Sequence, residues 1–143
     1  MTSLLSFPDV NVWLAIILEH HEHHAQALVW WVQPEEVALG FTRLTQLSVL
    51  RLLTTSAVMR ERALTTADAW QAYDCLFQDD RVALYPEPAG FEIRFRQLSQ
   101  SPTVSPKVWA DAYLLAFASG HQGQLVTFDR TLENRGVSCL VLR

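Results

Sequence analysis

Short apolar runs alternate with longer amphipathic segments along this chain. Five short runs are apolar and bounded by proline or polar residues, a pattern typical of buried strands: residues 4–7, 36–41, 82–85, 125–128 and 138–142. The segments between them favour helices: residues 10–18, 20–32, 42–53, 66–77, 89–99 and 106–120. Strands that are separated by helices usually pair in parallel. The pattern therefore predicts an α/β fold, a three-layer α/β/α sandwich around a central, mainly parallel sheet.

Capping signals mark several of the predicted helix ends. Thr42 is a suitable N-cap for the segment that ends at Leu53, and Thr65 or Thr66 is suitable for the segment that follows. The helix from residue 106 carries the most signals. Ser105 is its expected cap, Pro106 lies in the first turn, and Gly120 is expected to close the end. Pro34 is expected to stop the second helix.

Length and composition limit the possible classes of protein. The 143 residues fit one domain over residues 1–143, and a hydrophobic fraction of 50% is enough for a core without disulfides. The apolar runs are too short to cross a bilayer, and the N-terminus lacks the features of a signal peptide. We therefore expect a cytoplasmic protein without membrane contact. Cys75 and Cys139 are expected to be small buried side chains with no disulfide.

Two aspartates come at the ends of predicted strands. Asp9 follows the first apolar run, and Asp129 follows the run at 125–128. In a parallel sheet the carboxyl ends of the strands share one edge, where sites of such folds lie. We therefore expect both carboxylates in the same crevice.

Asp111 supplies a third acid, from within a predicted helix. It shares a stripe of the helix with Val108, Leu114, Leu115 and Ala118, so it should face the core side. An unpaired carboxylate is costly there, and a cation shared with Asp9 and Asp129 would compensate. The alternative is an ion pair with Lys107, four residues earlier, which would face solvent.

Clustered carboxylates have a definite chemistry. They repel one another unless a cation lies between them, and hard divalent ions such as Mg²⁺ or Mn²⁺ prefer their oxygens. An ion held in this way can activate water and neutralise the charge that develops on a phosphodiester. The three acids therefore predict a metal-dependent hydrolase of phosphodiesters that needs no side-chain nucleophile.

Other polar residues near these acids have two interpretations each. The amide of Asn11 could orient an acid or a metal-bound water, or Asn11 could cap a helix. The hydroxyl of Thr127 could support the site, although β-propensity also explains a threonine there. Glu133 could reach the metal through water, although such a residue is more often solvated. Asn11 is kept among the candidate catalytic residues.

Three stretches of the chain resemble the PIN-domain family, and especially the VapC toxins of toxin–antitoxin pairs. They are FPDVNVWLA at 7–15, TRLTQLSVLRLLT at 42–54 and WADAYLLAFASGHQGQLVTFDR at 109–130. The resemblance implies a compact α/β/α endoribonuclease that uses Mg²⁺ or Mn²⁺ and cuts structured RNA. It also implies a protein antitoxin as partner and a homodimer. Tryptophans, five in all, could line a groove for that partner, but most of them are expected in the core.

The family's acidic quartet falls on Asp9, Asp111 and Asp129, and its remaining position falls on Gln46. A glutamine keeps a carbonyl ligand but removes one negative charge from the site. Gln46 is therefore kept as a candidate site residue, with an ordinary polar helix residue as the alternative. This departure also supports a second hypothesis, a PIN fold that holds RNA or a partner but no longer cleaves.

Net charge, one competing fold and a cluster of histidines bear further on the function. With a net charge of −4, RNA binding needs a local basic patch, and Arg43 and Arg130 are the expected phosphate contacts. A receiver-like domain is disfavoured because no lysine lies at the final strand. A histidine cluster is set aside as a metal site because the HExxH spacing fails, and it comprises His20, His21, His23 and His24.

Overall fold

The computed structural model describes residues 4–33 and 37–143. In chain order its main elements are β1 Leu4–Pro8, α1 Val10–Ile17, α2 His24–Trp31, β2 Val37–Phe41, α3 Arg43–Leu53, α4 Ser56–Met59, α5 Thr66–Leu76, β3 Val82–Leu84, α6 Phe91–Leu98, α7 Lys107–Gly120, β4 Gln124–Thr127 and β5 Cys139–Val141. Short 3₁₀ turns lie at Arg60–Arg62 and Arg130–Leu132. The strands form one sheet in the order β3-β2-β1-β4-β5, and all four pairings are parallel.

The sheet separates two hydrophobic clusters. Leu125 and Val126 are neighbours on β4, and successive side chains of a strand point to opposite faces. Leu125 packs with Phe7 and the apolar side of α7, whereas Val126 packs with residues of α1, α3 and α5. Helices therefore cover both faces, and the predicted three-layer α/β/α sandwich with a parallel sheet is confirmed.

Gly40 on β2 leaves room for the side chain of Phe7 on the neighbouring strand β1. A Cβ at Gly40 would lie 2.3 Å from Cε1 of Phe7. The Phe7 ring is fully buried and packs edge-on against Tyr85 and Phe117. Only glycine leaves room for this ring, which belongs to the strand that leads to Asp9.

Most predicted elements are present, and their ends differ by a few residues. Thr42 caps α3 through a capping box with Thr45, and Thr65 rather than Thr66 caps α5. The short helix α4 was not predicted. The second helix begins at His24 instead of residue 20, and its expected stop at Pro34 lies outside the described residues.

The predicted caps of α7 are wrong in detail. Pro106 occupies the cap position and makes no side-chain cap bond, and Ser105 contributes only its backbone carbonyl, which accepts the Val108 N–H at 3.3 Å. Gly120 is the last helical residue, and the left-handed backbone comes two residues later, at Gln122 with φ of 57°. The turn therefore forms without a glycine in the left-handed position.

The two cysteines differ in their exposure. Cys75 is exposed, so its expected burial is wrong, and Cys139 is half-buried; both thiols are free.

Within residues 4–33 and 37–143 we find no helix with the length and apolar character needed to span a membrane.

Candidate active site

Asp9 lies at the carboxyl edge of the sheet, where β1 gives way to α1. Its N–H donates to the carbonyl of Val126 at 2.9 Å, which ties it to β4. Its Oδ1 accepts the N–H of Val12 at 3.1 Å, so Asp9 is the N-cap of α1. The strand and the helix together hold this carboxylate in one orientation.

Thr127 connects Asp9 with Asp129. The hydroxyl of Thr127 donates to Oδ2 of Asp9 and accepts the N–H of Asp129 at 3.0 Å. Thr127 is fully buried at the end of β4, so its hydroxyl has no competing water. The supporting contact that the sequence suggested for Thr127 is therefore present.

Lys107 lies between Asp111 and Asp129 and contacts both carboxylates. The Nζ of Lys107 lies 2.5 Å from Oδ2 of Asp129 and 3.7 Å from Oδ2 of Asp111. The Lys107 side chain is 63% exposed, whereas that of Asp111 is 21% exposed. The i−4 pair that the sequence left as an alternative is thus formed, but Lys107 also reaches across to Asp129. Asp111 is therefore paired with Lys107 and, through the same lysine, linked to Asp129.

Burial and charge set the pKa values of the three acids in different directions. Burial raises the pKa of Asp9, against the lowering effect of the Thr127 hydrogen bond, and the charge of Asp111 raises it further. Burial also raises the pKa of Asp111, partly offset by Lys107. The hydrogen bond from Lys107 lowers the pKa of Asp129 to about 2. Two half-buried acids with raised pKa values, Asp9 and Asp111, therefore lie near an acid with a lowered pKa, Asp129.

No group of three or more His, Cys, Asp or Glu side chains in the described part of the chain is arranged to hold a metal ion as the side chains stand. The positive charge close to Asp111 and Asp129 is the ammonium of Lys107. The oxygens of the three acids are nevertheless the ligand type that Mg²⁺ and Mn²⁺ prefer. The chemistry of the donor set fits such an ion, on condition that Lys107 gives up its contacts.

Gln46 lies in the first turns of α3 and is buried. Its Oε1 accepts from Nη1 of Arg43 at 2.5 Å, and its Nε2 donates to the hydroxyl of Tyr73 at 3.2 Å. The amide is therefore engaged at both ends. Tyr73 was missed in the sequence because it belongs to α5, 27 residues away, and no local pattern connects it with Gln46.

Comparison with known proteins identifies the family. The family model for the PIN domain matches residues 6–137. The chain belongs to the PIN domain family. Ribonuclease VapC41 of Mycobacterium tuberculosis is 40% identical over 134 residues, covering 90% of this chain and 91% of the relative. Ribonuclease VapC29 of the same organism is 30% identical over 132 residues, covering 92% and 89%.

Solved structures of low sequence identity share the fold of this PIN domain. VapBC2 from Rickettsia felis, bound to a DNA fragment from its promoter, has a TM-score of 0.69 at 10% identity and covers 98% of this chain and 100% of that one. The sarcin-ricin loop cleaving toxin VapC20 of M. tuberculosis has a TM-score of 0.67 at 16% identity, covering 96% and 99%.

Two weaker candidates of this PIN domain have other local roles. The Asn11 side chain is exposed, and its backbone N–H lowers the pKa of Asp9. Its alternative as a helix cap is wrong, because Asp9 caps α1. Glu133 lies 3.5 Å from Nη2 of Arg143, so its carboxylate has a cationic partner at the surface.

The histidines of the PIN domain do not share a helix face, because only His24 belongs to α2. The ring of His24 contacts the carbonyl of Ala15 at 2.6 Å, and His23 stacks on Phe128 with the ring centroids 4.6 Å apart. These contacts are structural.

The tryptophans are less buried than expected. Trp13 is fully buried, but Trp70 and Trp109 are 47% and 60% exposed. The expectation that most of them belong to the core is wrong for these two. Trp30 and Trp31 are half-buried and pack against the core.

Proposed function

We propose that this single PIN domain is a metal-dependent endoribonuclease, the toxin of a toxin–antitoxin pair, which hydrolyses phosphodiesters in structured RNA. The observation that carries the proposal is the gathering of Asp9, Asp111 and Asp129 at the carboxyl edge of the sheet, connected through Thr127 and Lys107. The names of the curated relatives, which are ribonucleases, support it.

The proposed metal is Mg²⁺ or Mn²⁺, held by Asp9, Asp111 and Asp129. When bound, such an ion supplies a more acidic water and neutralises charge on the phosphodiester. The burial that raises the pKa of Asp9 and Asp111 favours a cation between them, because each ionised acid disfavours the other. Gln46 is a weaker candidate ligand, since its carbonyl already accepts from Arg43.

The chain's own residues orient the site. Thr127 holds one oxygen of Asp9, and the N–H of Val12 holds the other, so the carboxylate cannot rotate freely. Asp129 is held by the N–H and hydroxyl of Thr131 at 2.9 and 2.7 Å. Acids fixed in this way lose little entropy when they bind an ion or a substrate, which is the usual benefit of preorganisation. The exposed amide of Asn11 is proposed to orient an acid or a metal-bound water.

The proposed partner is a protein antitoxin. Support comes from structural neighbours that are VapBC complexes, from Rickettsia felis and from nontypeable Haemophilus influenzae. Like the proposed homodimer and the proposed cytoplasmic location, this rests on likeness to the family. Light scattering on the chain purified alone tests the homodimer. Light scattering on the chain purified together with a candidate antitoxin tests that partner.

An RNA-cleavage assay separates this enzyme from the second hypothesis, a PIN fold that binds RNA without cutting it. The glutamine at position 46 favours that alternative, because it leaves only three acids at the site and its amide is hydrogen-bonded at both ends. Wild type with Mn²⁺ should cleave structured RNA, excess EDTA should stop the cleavage, and Asp9→Asn should lose at least about a hundredfold in rate. Asparagine keeps the helix cap, so folding is preserved.

Asp80→Asn is the matched control, since Asp80 is exposed and precedes β3 at the opposite edge of the sheet. It should retain full activity. Binding of Mn²⁺, measured by titration calorimetry, should be lost in Asp9→Asn and kept in Asp80→Asn. If wild type and Asp9→Asn leave RNA equally intact while RNA binding persists, the binding module is correct and the enzyme is not.

A further inference from the structure

Hydrogen bonds connect three polar side chains in a row from the core to the surface. The buried hydroxyl of Tyr73 accepts from Nε2 of Gln46, and Oε1 of Gln46 accepts from the guanidinium of Arg43. Tyr73 and Gln46 are 5% and 7% exposed, whereas Arg43 is exposed. Two buried groups therefore hold one surface cation in place.

These hydrogen bonds disfavour a metal ion at Gln46. The only strong acceptor of the amide is its carbonyl oxygen, and a guanidinium lies 2.5 Å from it. A divalent ion approaching the same oxygen would meet that positive charge. The substitution of glutamine for the family's fourth acid thus changes what this position does: it orients an arginine.

Arg43 lies at the same carboxyl edge of the sheet as Asp9, because it follows the strand that pairs with β1. β1 and β2 pair in parallel with Ser6 opposite Leu39, and they end at Pro8 and Phe41. Neighbouring strands are about 4.8 Å apart. Asp9 follows β1 directly and Arg43 begins α3 just after β2, so both residues come after the ends of neighbouring strands.

Arg43 also lines a depression of about 580 Å³, which it shares with Tyr85, Glu87 and Tyr113. Tyr113 lies two residues after Asp111 on α7, so this depression adjoins the helix that bears the third acid. Among the described residues, no carboxylate lies within 4 Å of the Arg43 guanidinium. Its charge is free to bind an anion.

We propose that Arg43 binds a phosphate of the RNA backbone next to the scissile bond, and that Gln46 and Tyr73 are positioning residues for it. The inference rests on the proposed ribonuclease function. A protein of net charge −4 needs such a local contact, and a guanidinium already held by a buried amide loses less freedom on binding than a free one. Arginine is well suited to phosphate because its planar fork matches two oxygens.

The test measures binding of a fluorescein-labelled RNA hairpin to Asp9→Asn protein, which leaves the RNA uncut, at fixed Mg²⁺ over a series of KCl concentrations. Arg43→Gln should weaken binding about tenfold, as for one charge-assisted contact. It should also reduce the slope of log affinity against log salt by about 0.7–0.9, the value for one phosphate. Arg51→Gln is the control, because it removes the same charge from the exposed surface of the last turn of α3.

A double-mutant cycle tests the positioning residues. Tyr73→Phe removes only the hydroxyl and keeps the ring contacts with Phe41 and Phe77. It should weaken RNA binding several-fold when Arg43 is present and have no effect in the Arg43→Gln background. A merely structural role would give the same effect in both backgrounds.

The possible failures are distinguishable. If wild type cleaves RNA but Arg43→Gln binds like Arg51→Gln, this inference fails and the ribonuclease proposal stands. If wild type cleaves nothing while Arg43→Gln still weakens binding and lowers the salt slope, the phosphate contact stands and the enzyme proposal fails. An equal effect of Tyr73→Phe in both backgrounds overturns the positioning role.

Discussion

The ammonium of Lys107 lies 2.5 Å from Oδ2 of Asp129 and holds the pKa of that carboxyl at about 2. The same nitrogen lies 3.7 Å from Asp111. The two acids thus share one cation that the chain itself supplies. Any divalent ion bound between them must compete with this lysine, which is the only lysine in the sequence.

Replacing Lys107 with methionine should therefore raise the affinity for Mn²⁺ and lower the stability of the metal-free protein. The stability loss in EDTA should be about 1 kcal/mol or less, because the lysine side chain is 63% exposed. Thermal unfolding with and without Mn²⁺ and calorimetric titration measure the two effects. Arg96→Met breaks an exposed ion pair with Glu92 away from the acids and should leave Mn²⁺ affinity unchanged. Equal affinities for Lys107→Met and wild type would contradict the competition.

Asp9→Asn should stabilise the metal-free fold at neutral pH. Burial raises the pKa of Asp9 in the folded state above its ordinary value of 3.8, so the folded protein binds the proton more readily than the unfolded chain. The ionised acid therefore opposes folding at pH 7, and this penalty disappears as the pH falls through the raised pKa. The gain from Asp9→Asn should be below about 2 kcal/mol and should shrink on acidification. Urea unfolding in EDTA at several pH values measures it.

Asp79→Asn should change the stability of the fold in the opposite direction from Asp9→Asn. The hydrogen bond from Arg81 lowers the pKa of Asp79, so its ionised form stabilises the fold above its ordinary pKa. This variant should lose stability at pH 7, and the loss should fade as the pH drops through the lowered pKa of Asp79. A shift of the same sign for both variants would show that the burial of Asp9 is not the cause.

Thr127→Val should impair the site while preserving the fold. Valine matches the shape of threonine but removes the donor to Asp9 and the acceptor for the N–H of Asp129. Mn²⁺ affinity should fall about 10- to 100-fold, the usual effect of losing a residue that orients a metal ligand. The free energy of unfolding should fall by about 1–3 kcal/mol because a buried N–H is left unpaired. Thr127→Ser restores the hydroxyl and should recover most of the affinity; failure of this rescue would argue against the hydrogen bonds.

Gly40→Ala should destabilise the protein by about 1–3 kcal/mol, because the added methyl overlaps the Phe7 ring. Urea unfolding gives the loss. A second substitution, Phe7→Leu, removes that ring and should cost less in the Gly40→Ala background than in wild type. Additive losses in this cycle would mean that the two residues do not compete for the same space.

Local pattern was sufficient for much of the fold. The apolar runs and the capping threonines predicted five strands in a mainly parallel sheet and most of the helices, because alternation and helical spacing depend on neighbours in the chain. The helix boundaries were less predictable. α2 starts at His24, where the rings of His24 and His23 contact Ala15 and Phe128, and no local pattern contains these contacts.

The sequence by itself determined which acids could meet, since residues that follow parallel strands must share one edge of the sheet. That reasoning predicted Asp9 and Asp129, and the apolar stripe of α7 predicted Asp111. Only the tertiary structure decided how they are connected: Lys107 reaches Asp129 across 22 residues, and Gln46 reaches Tyr73 across 27. Periodicity reports the face on which a side chain lies, whereas a hydrogen bond between distant elements depends on how far the packed helices bring their atoms together.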